Sequence, residues 1–247
     1  MPGNNTITNA LITGASRGLG RALALELAKS HEGIEIVLVA RHAGPLEEVA
    51  QEVREAGGRP HAIVADVSRG SDIAEVAARA QSLVGRVELL INNASSLGPV
   101  PLPELADLER GAMEAVFATN VFGPARLIKS LVAAMRLGAG GSVVNISSDA
   151  AVEAYPGWGA YGASKAALDH LTRVWAAELE GEGVRFVAVD PGEMNTQMHA
   201  DAIPEADPLQ LQSPELVARR IVSIVRGVEL VPNGSRVAAA EFAGRAS

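Results

Sequence analysis

Short, continuously apolar runs rich in Val, Ile and Leu recur along the chain at residues 10–12, 34–40, 62–65, 87–91, 142–146 and 184–189. A strand with one face in water alternates polar and apolar residues, so unbroken runs predict strands buried on both faces. Between them lie residues 21–30, 45–56, 71–84, 109–137 and 160–180, where apolar positions return at helical spacing. Strand and helix alternating over nearly the whole length predict a parallel sheet with helices on both faces, a doubly wound α/β architecture. No solenoid repeat and no Pro/Gly/Ser linker divides the sequence. Residues 1–247 are therefore expected to form a single domain, with a core over about residues 6–240. Two segments are irregular: 97–108, with Pro99, Pro101 and Pro103, and 193–214, with Pro204, Pro208 and Pro214. Loops leaving the carboxyl ends of strands face the ligand crevice of such a sheet, so both are expected to wall a pocket, the second also closing as a lid. For 97–108 a plain surface insertion is the equal alternative.

Composition removes several classes of function. The 247 residues are 48% hydrophobic, and 21 Lys+Arg against 29 Asp+Glu leave a net charge of −8. That balance lacks the basic footprint of a nucleic-acid binder. With no cysteine there are no disulfides, thiolate metal sites or Cys nucleophile. The histidines, His31, His42, His61, His170 and His199, form no helical i, i+4 pair, so no metal site is expected. The start, Met1 to Thr6, has neither a basic nor an apolar leader region, and no apolar run reaches the roughly 18 residues of a membrane span. No membrane association and a cytoplasmic location are expected.

The candidate chemistry falls in two places. After the first strand comes Thr13-Gly14-Ala15-Ser16-Arg17-Gly18-Leu19-Gly20, followed by a helix from about Arg21. Residues without a Cβ let backbone N–H groups and the positive helix end approach a pyrophosphate. The spacing, G-x-x-x-G-x-G, differs from the common G-x-G-x-x-G, and its place in the first strand-to-helix turn is what marks it as a dinucleotide loop. The second strand ends without an acid and runs into Arg41-His42. A carboxylate there would bind the ribose hydroxyls of NAD, whereas a 2′-phosphate needs cations. Arg41, with Arg17 in the glycine loop, therefore favours NADP(H). In the second half, Ser147-Ser148 end a strand, and Tyr161 and Lys165 stand four apart near the start of a helix, on one face. An ammonium beside a phenol is expected to lower its pKa, so that Tyr161 can exchange a proton with a substrate oxygen while Ser148 holds that oxygen.

These residues, with Asp66-Val67, Asn92-Asn93-Ala94, Asn120 and Pro191-Gly192 in the same order, resemble the short-chain dehydrogenase/reductase family over about residues 6–230. The resemblance implies a Rossmann fold and hydride transfer between a nicotinamide cofactor and a small-molecule carbonyl or alcohol. It implies Tyr161 as acid/base and Lys165 as the residue that lowers its pKa and binds the nicotinamide ribose. It also implies Ser148 as substrate-oxygen stabiliser and Asn120 as the residue whose backbone holds a relay water. Asp66 and Val67 would meet adenine, Asn93 and Ala94 would lie along the adenosine, and Thr196 after Pro191-Gly192 would meet the carboxamide. Ser95 departs from the family's Asn-Asn-Ala-Gly, and Glu193-Met194-Asn195 from its sequence after Pro-Gly. Ser96-Leu97-Gly98 and Asn233-Gly234-Ser235 are similar to the sepiapterin reductase branch, which makes a pterin or diketone reductase the alternative substrate class. A dinucleotide-sensing protein without turnover is the alternative outside enzymology. A homo-oligomer, dimer or tetramer, is expected through helices 109–137 and 160–180.

Overall fold

The computed structural model describes residues 7–138 and 140–242. Seven strands, β1 (Asn9–Thr13), β2 (Glu35–Ala40), β3 (Arg59–Val64), β4 (Leu89–Asn92), β5 (Gly141–Ile146), β6 (Val184–Asp190) and β7 (Arg236–Ala238), form one parallel sheet in the order β3-β2-β1-β4-β5-β6-β7. The helices are α1 (Gly18–Ser30), α2 (Ala43–Glu55), α3 (Gly70–Val84), α4 (Arg110–Phe117), α5 (Gly123–Leu137), α6 (Gly159–Glu178), α7 (Gln197–Ala202), α8 (Pro214–Arg226) and α9 (Ala239–Phe242). The chain winds outward from β1 to β3, returns to place β4 on the other side of β1, and winds outward again. That reversal opens a crevice beyond the carboxyl ends of β1 and β4.

Successive side chains of a strand point to opposite faces, and here both faces are dry. Ile12, Ile36, Leu38, Ile91 and Val144 pack with α1, α2 and α8. Leu11, Val37, Val39, Leu90 and Val143 pack with α3 and α5 and the end of α6. Fully burying one such aliphatic side chain contributes about 1.5–3 kcal/mol, so the sheet is a rigid platform and its carboxyl edge a fixed place for chemistry.

Four parts of the chain differ from the expectation. The single helical stretch over 109–137 is two helices joined by a π-helical turn, Ala118–Phe122. The widened turn brings Gly123 so close to the backbone of Val67 that a Cβ there would lie 2.6 Å from Val67 O, and it carries Asn120 inward, where it is 1% exposed. Helix α8 was not anticipated, although Ser213 caps it by accepting from Leu216 N at 3.2 Å and Pro214 opens its first turn. Nor was β7, whose three residues include an arginine. Segment 193–214 is not wholly irregular either: it contains α7 and closes on itself through a bridge between Met194 and Gln212.

Candidate active site

The glycine turn leaves β1 at the switch point. Gly14 takes a positive φ of 66°, and a Cβ on it would lie 2.8 Å from Ala94 Cα. A Cβ on Gly20 would overlap Gly14 O. Both positions require glycine. The turn is braced from β4: Asn93 Nδ2 donates to Thr13 O at 2.9 Å and Gly14 O at 3.2 Å, and Thr13 Oγ1 accepts from Asn93 N and Ala94 N, each at 3.0 Å. Asn93 thus serves the turn with its side chain. Leu19 is buried in the core, Ser16 is half-buried and Arg17 is exposed. Helix α1 opens at Gly18 with Arg17 at its N-cap and no side-chain cap, so its first-turn N–H groups and positive end face the crevice, as an anionic pyrophosphate requires. This bare, close-approach cradle fits a dinucleotide.

At the ends of β2 and β3, Arg41 is exposed and Asp66 half-buried. Burial pushes the Asp66 carboxyl up, but the Ser68 N–H and hydroxyl, with Arg41 and Arg69, more than offset this and hold it below its usual value. Asp66 Oδ1 accepts from Ser68 N at 2.9 Å and Ser68 Oγ at 2.7 Å. Val67 is buried in a narrow cleft with Thr13, Ala94 and Thr119. Thr196 approaches from the far wall, its methyl 3.6 Å from where a Cβ on Gly18 would stand, and its Oγ1 caps α7 by accepting from His199 N at 3.3 Å.

A cavity of about 220 Å³ opens beside the crevice at the ends of β5 and β6. Ser148 and Tyr161 line it together with Pro191 and Gly192, and its apolar walls include Leu97, Trp158, Met198 and Ile203. Segment 193–214 therefore walls the pocket, whereas of 97–108 only Leu97 reaches it, which leaves the rest of that segment to the surface-insertion alternative. Trp158 packs edge-on against Tyr161, ring centroids 5.5 Å apart.

Tyr161, Ser148 and Lys165 converge. Lys165 is 2% exposed; its Nζ donates to Ile146 O at 2.7 Å and lies 5.5 Å from the Tyr161 ring centroid. Burial pushes the Tyr161 phenol up to about 12; hydrogen bonding with the Ser148 and Ser95 hydroxyls pulls the other way, and Asp149 and Asp190 add to the rise. The lowered phenol expected from Lys165 is thus not found in the chain by itself, because desolvation of the phenolate outweighs its neighbours. Burial pulls Lys165 down to about 8, against Asp169, which raises it. Ser148 Oγ donates to Asp149 Oδ1 at 2.9 Å and accepts from Ala150 N at 3.2 Å. The Asp149 carboxylate also accepts from the Tyr155 hydroxyl at 2.9 Å.

Asn120 reaches the same centre through its side chain. Oδ1 accepts from Ser96 N at 2.8 Å and Ser95 Oγ at 3.2 Å; Nδ2 donates to Ser96 O and Ser164 Oγ, each at 2.9 Å. It fastens the strand β4 exit to α6. Ser95, flagged as a departure, turns its hydroxyl onto Asn120 and Tyr161. The sequence reading placed Ser147 at the strand end without a role, and missed Asp149, Asp169, Asp190 and Arg236 at this site. Asp149 follows directly on the predicted strand end and Asp169 stands four residues after Lys165, both usable signals; Arg236 had none.

The sequence model of the family described as short chain dehydrogenase matches residues 8–207, and the chain belongs to that family of oxidoreductases, which bind nicotinamide cofactors. It is 36% identical over 189 residues to an uncharacterized oxidoreductase of Mycobacterium tuberculosis, covering 76% of this chain and 69% of that protein. It is 33% identical over 220 residues to an NADPH-dependent aldehyde reductase-like chloroplastic protein of Arabidopsis thaliana, covering 85% and 77%. A solved short chain dehydrogenase from Pseudomonas syringae superposes with a TM-score of 0.88 at 30% identity, covering 97% of each chain. Among the described residues no helix is long and apolar enough to cross a membrane, and no cluster of metal-ligating side chains occurs.

Proposed function

We propose that this chain is an NADP(H)-dependent carbonyl reductase or alcohol dehydrogenase in which Tyr161 is the acid/base. The observation that carries the reading is the convergence of the Tyr161 and Ser148 hydroxyls on one small cavity, with Lys165 beneath, at the carboxyl edge of the sheet. The nicotinamide would supply or take the hydride. Gly14, Gly18 and Gly20 with the start of α1 would hold its pyrophosphate, Arg17 and Arg41 the 2′-phosphate, and Asp66, Val67 and Ala94 the adenosine side. Lys165 would bind the ribose, and Thr196 beyond Pro191-Gly192 the carboxamide end. A phenol pushed up to about 12 keeps its proton at neutral pH, the form that protonates a carbonyl oxygen as it gains negative charge. Ser148 holds that oxygen by turning its hydroxyl from Asp149 into the cavity, and Trp158 and Met198 exclude water from it.

The 2′-phosphate assignment has the support of exposed Arg41 after a β2 that ends without an acid, and of the NADPH dependence in the name of the Arabidopsis relative. Of the two sequence pieces that suggested a pterin reductase, only Leu97 faces the cavity. Asn233 Oδ1 instead accepts from Phe186 N at 2.7 Å in the turn before β7, so that piece has a structural use. Self-association through α4 to α6 is part of the same proposal and has the support of Met113, Phe122 and Val174, exposed on those helices and their π turn. Titration with NADPH and NADH, followed by a panel of neutral ketones, aldehydes and diketones monitored by loss of the reduced nicotinamide's absorbance, tests the function. Tighter NADPH binding with turnover is expected. Binding without turnover of any carbonyl, or of any alcohol with the oxidised cofactor, would favour the sensing alternative.

A further inference from the structure

At the end of β5 the carbonyls on either side of Ser147 are held by charged side chains. Ile146 O accepts from Lys165 Nζ at 2.7 Å. Ser147 Oγ and both Asp169 carboxylate oxygens are buried without a hydrogen-bond partner among the described residues, and the nearby hydroxyl favours the carboxylate. Ser148 O accepts from Arg236 Nη2 at 3.0 Å. The same Arg236 faces two carboxylates, Asp169 Oδ2 at 3.3 Å from Nε and Asp190 Oδ2 at 2.8 Å from Nη2. Asp190 in turn accepts from Gly192 N at 3.0 Å, fixing the Pro191-Gly192 turn.

We propose that Asp169, held ionised by Arg236, is a positioning residue that keeps Lys165 charged beside Tyr161. Asp169 stands one helical turn beyond Lys165 on the same face of α6, and the two are 3% and 2% exposed. The charges around them come from every element packed there: Tyr161 and Arg173 on α6, Asp149 after β5, Asp190 on β6 and Arg236 on β7. Arg236 is the fixed cation of the set, since a guanidinium does not deprotonate in a protein, so it stabilises Asp169 as an anion and leaves Asp169 free to stabilise the lysine cation. Burial works against the charge of both carboxylate and lysine: it leaves the Asp169 carboxyl above its usual value despite Ser147, Arg236, Lys165 and Arg173, and pulls Lys165 down to about 8, with Asp169 opposing the fall. The inference rests on Lys165 acting with Tyr161, but its test does not need turnover.

The chain has three lysines, Lys29, Lys129 and Lys165, and the first two are exposed. Carbon-13 NMR of the lysine side chains therefore resolves Lys165 in the cofactor-free protein. Asp169→Asn is expected to lower its midpoint by about one to two pH units, and Ser147→Ala, which removes the hydroxyl that favours the Asp169 anion, by a smaller amount in the same direction. If the protein reduces a carbonyl, the alkaline limb of kcat should move down with the NMR midpoint. A folded Asp169→Asn protein with an unmoved Lys165 midpoint overturns the proposal. Should that variant not fold, an unmoved midpoint in Ser147→Ala does so. A wild-type protein that reduces nothing would remove the proposed function while leaving the coupling of Asp169 to Lys165 to be decided by NMR.

Discussion

The two halves of the sheet prepare their edges in opposite ways. Beyond β1 the site is made by removing side chains: Gly14 and Gly20 leave backbone in contact with backbone, and the helix end is left bare. Beyond β5 and β6 it is made by burying polar ones, with Lys165, Asp169, Asn145, Thr172, Ser164 and Asn120 all within the core. Asn145 links both, accepting from Asn92 Nδ2 at 2.8 Å and donating to Thr172 Oγ1 at 2.9 Å. A pyrophosphate needs close approach and N–H dipoles, which glycine provides at little cost in solvation. Proton transfer needs groups whose charge is poised, and only burial with chosen neighbours does that. The first half should therefore fail sterically and the second electrostatically.

The largest failure is expected at Gly20→Ala. Its Cβ meets backbone oxygen that cannot step aside, so both cofactor binding and turnover should disappear, at a stability cost of about 1–3 kcal/mol; fluorescence titration and thermal melting measure the two. Wild-type NADPH affinity in this variant would show that the turn does not hold the pyrophosphate. Next is Ser148→Ala, which leaves the fold and cofactor affinity unchanged but should lower kcat about 100-fold or more, the usual loss when one donor to a developing oxyanion is removed. The smallest is Arg41→Ala. Without one charge-assisted contact, the preference for NADPH over NADH should fall about tenfold with kcat at saturation unchanged, and an unaltered preference would move the 2′-phosphate elsewhere.

What could be read beforehand follows the same division. Strands with two dry faces announce themselves as unbroken apolar runs, and β1 to β6 lie within a few residues of their expected bounds. Strand β7 could not be read, since Arg236-Val237-Ala238 is too short for a pattern and opens on a charge. A glycine in a strand-to-helix turn, or Tyr and Lys one helical turn apart, is a local signal, so Gly14 to Gly20, Tyr161 and Lys165 were found from the order of residues alone. Asp169 and Arg236 are 67 positions apart (236 − 169) and meet only because β7 joins the sheet beside β6. The protonation of Tyr161 was misjudged for a related reason: a lysine four residues away is visible in sequence, whereas the desolvation that outweighs it is not.

The central claim is that the Tyr161 hydroxyl, and no other group lining the cavity, exchanges the proton. Tyr161→Phe removes that one oxygen and keeps the ring against Trp158. Measured side by side, NADPH affinity should match wild type while kcat for carbonyl reduction falls by about 100- to 10,000-fold. Turnover within a few-fold of wild type, with the cofactor still bound, would contradict the account.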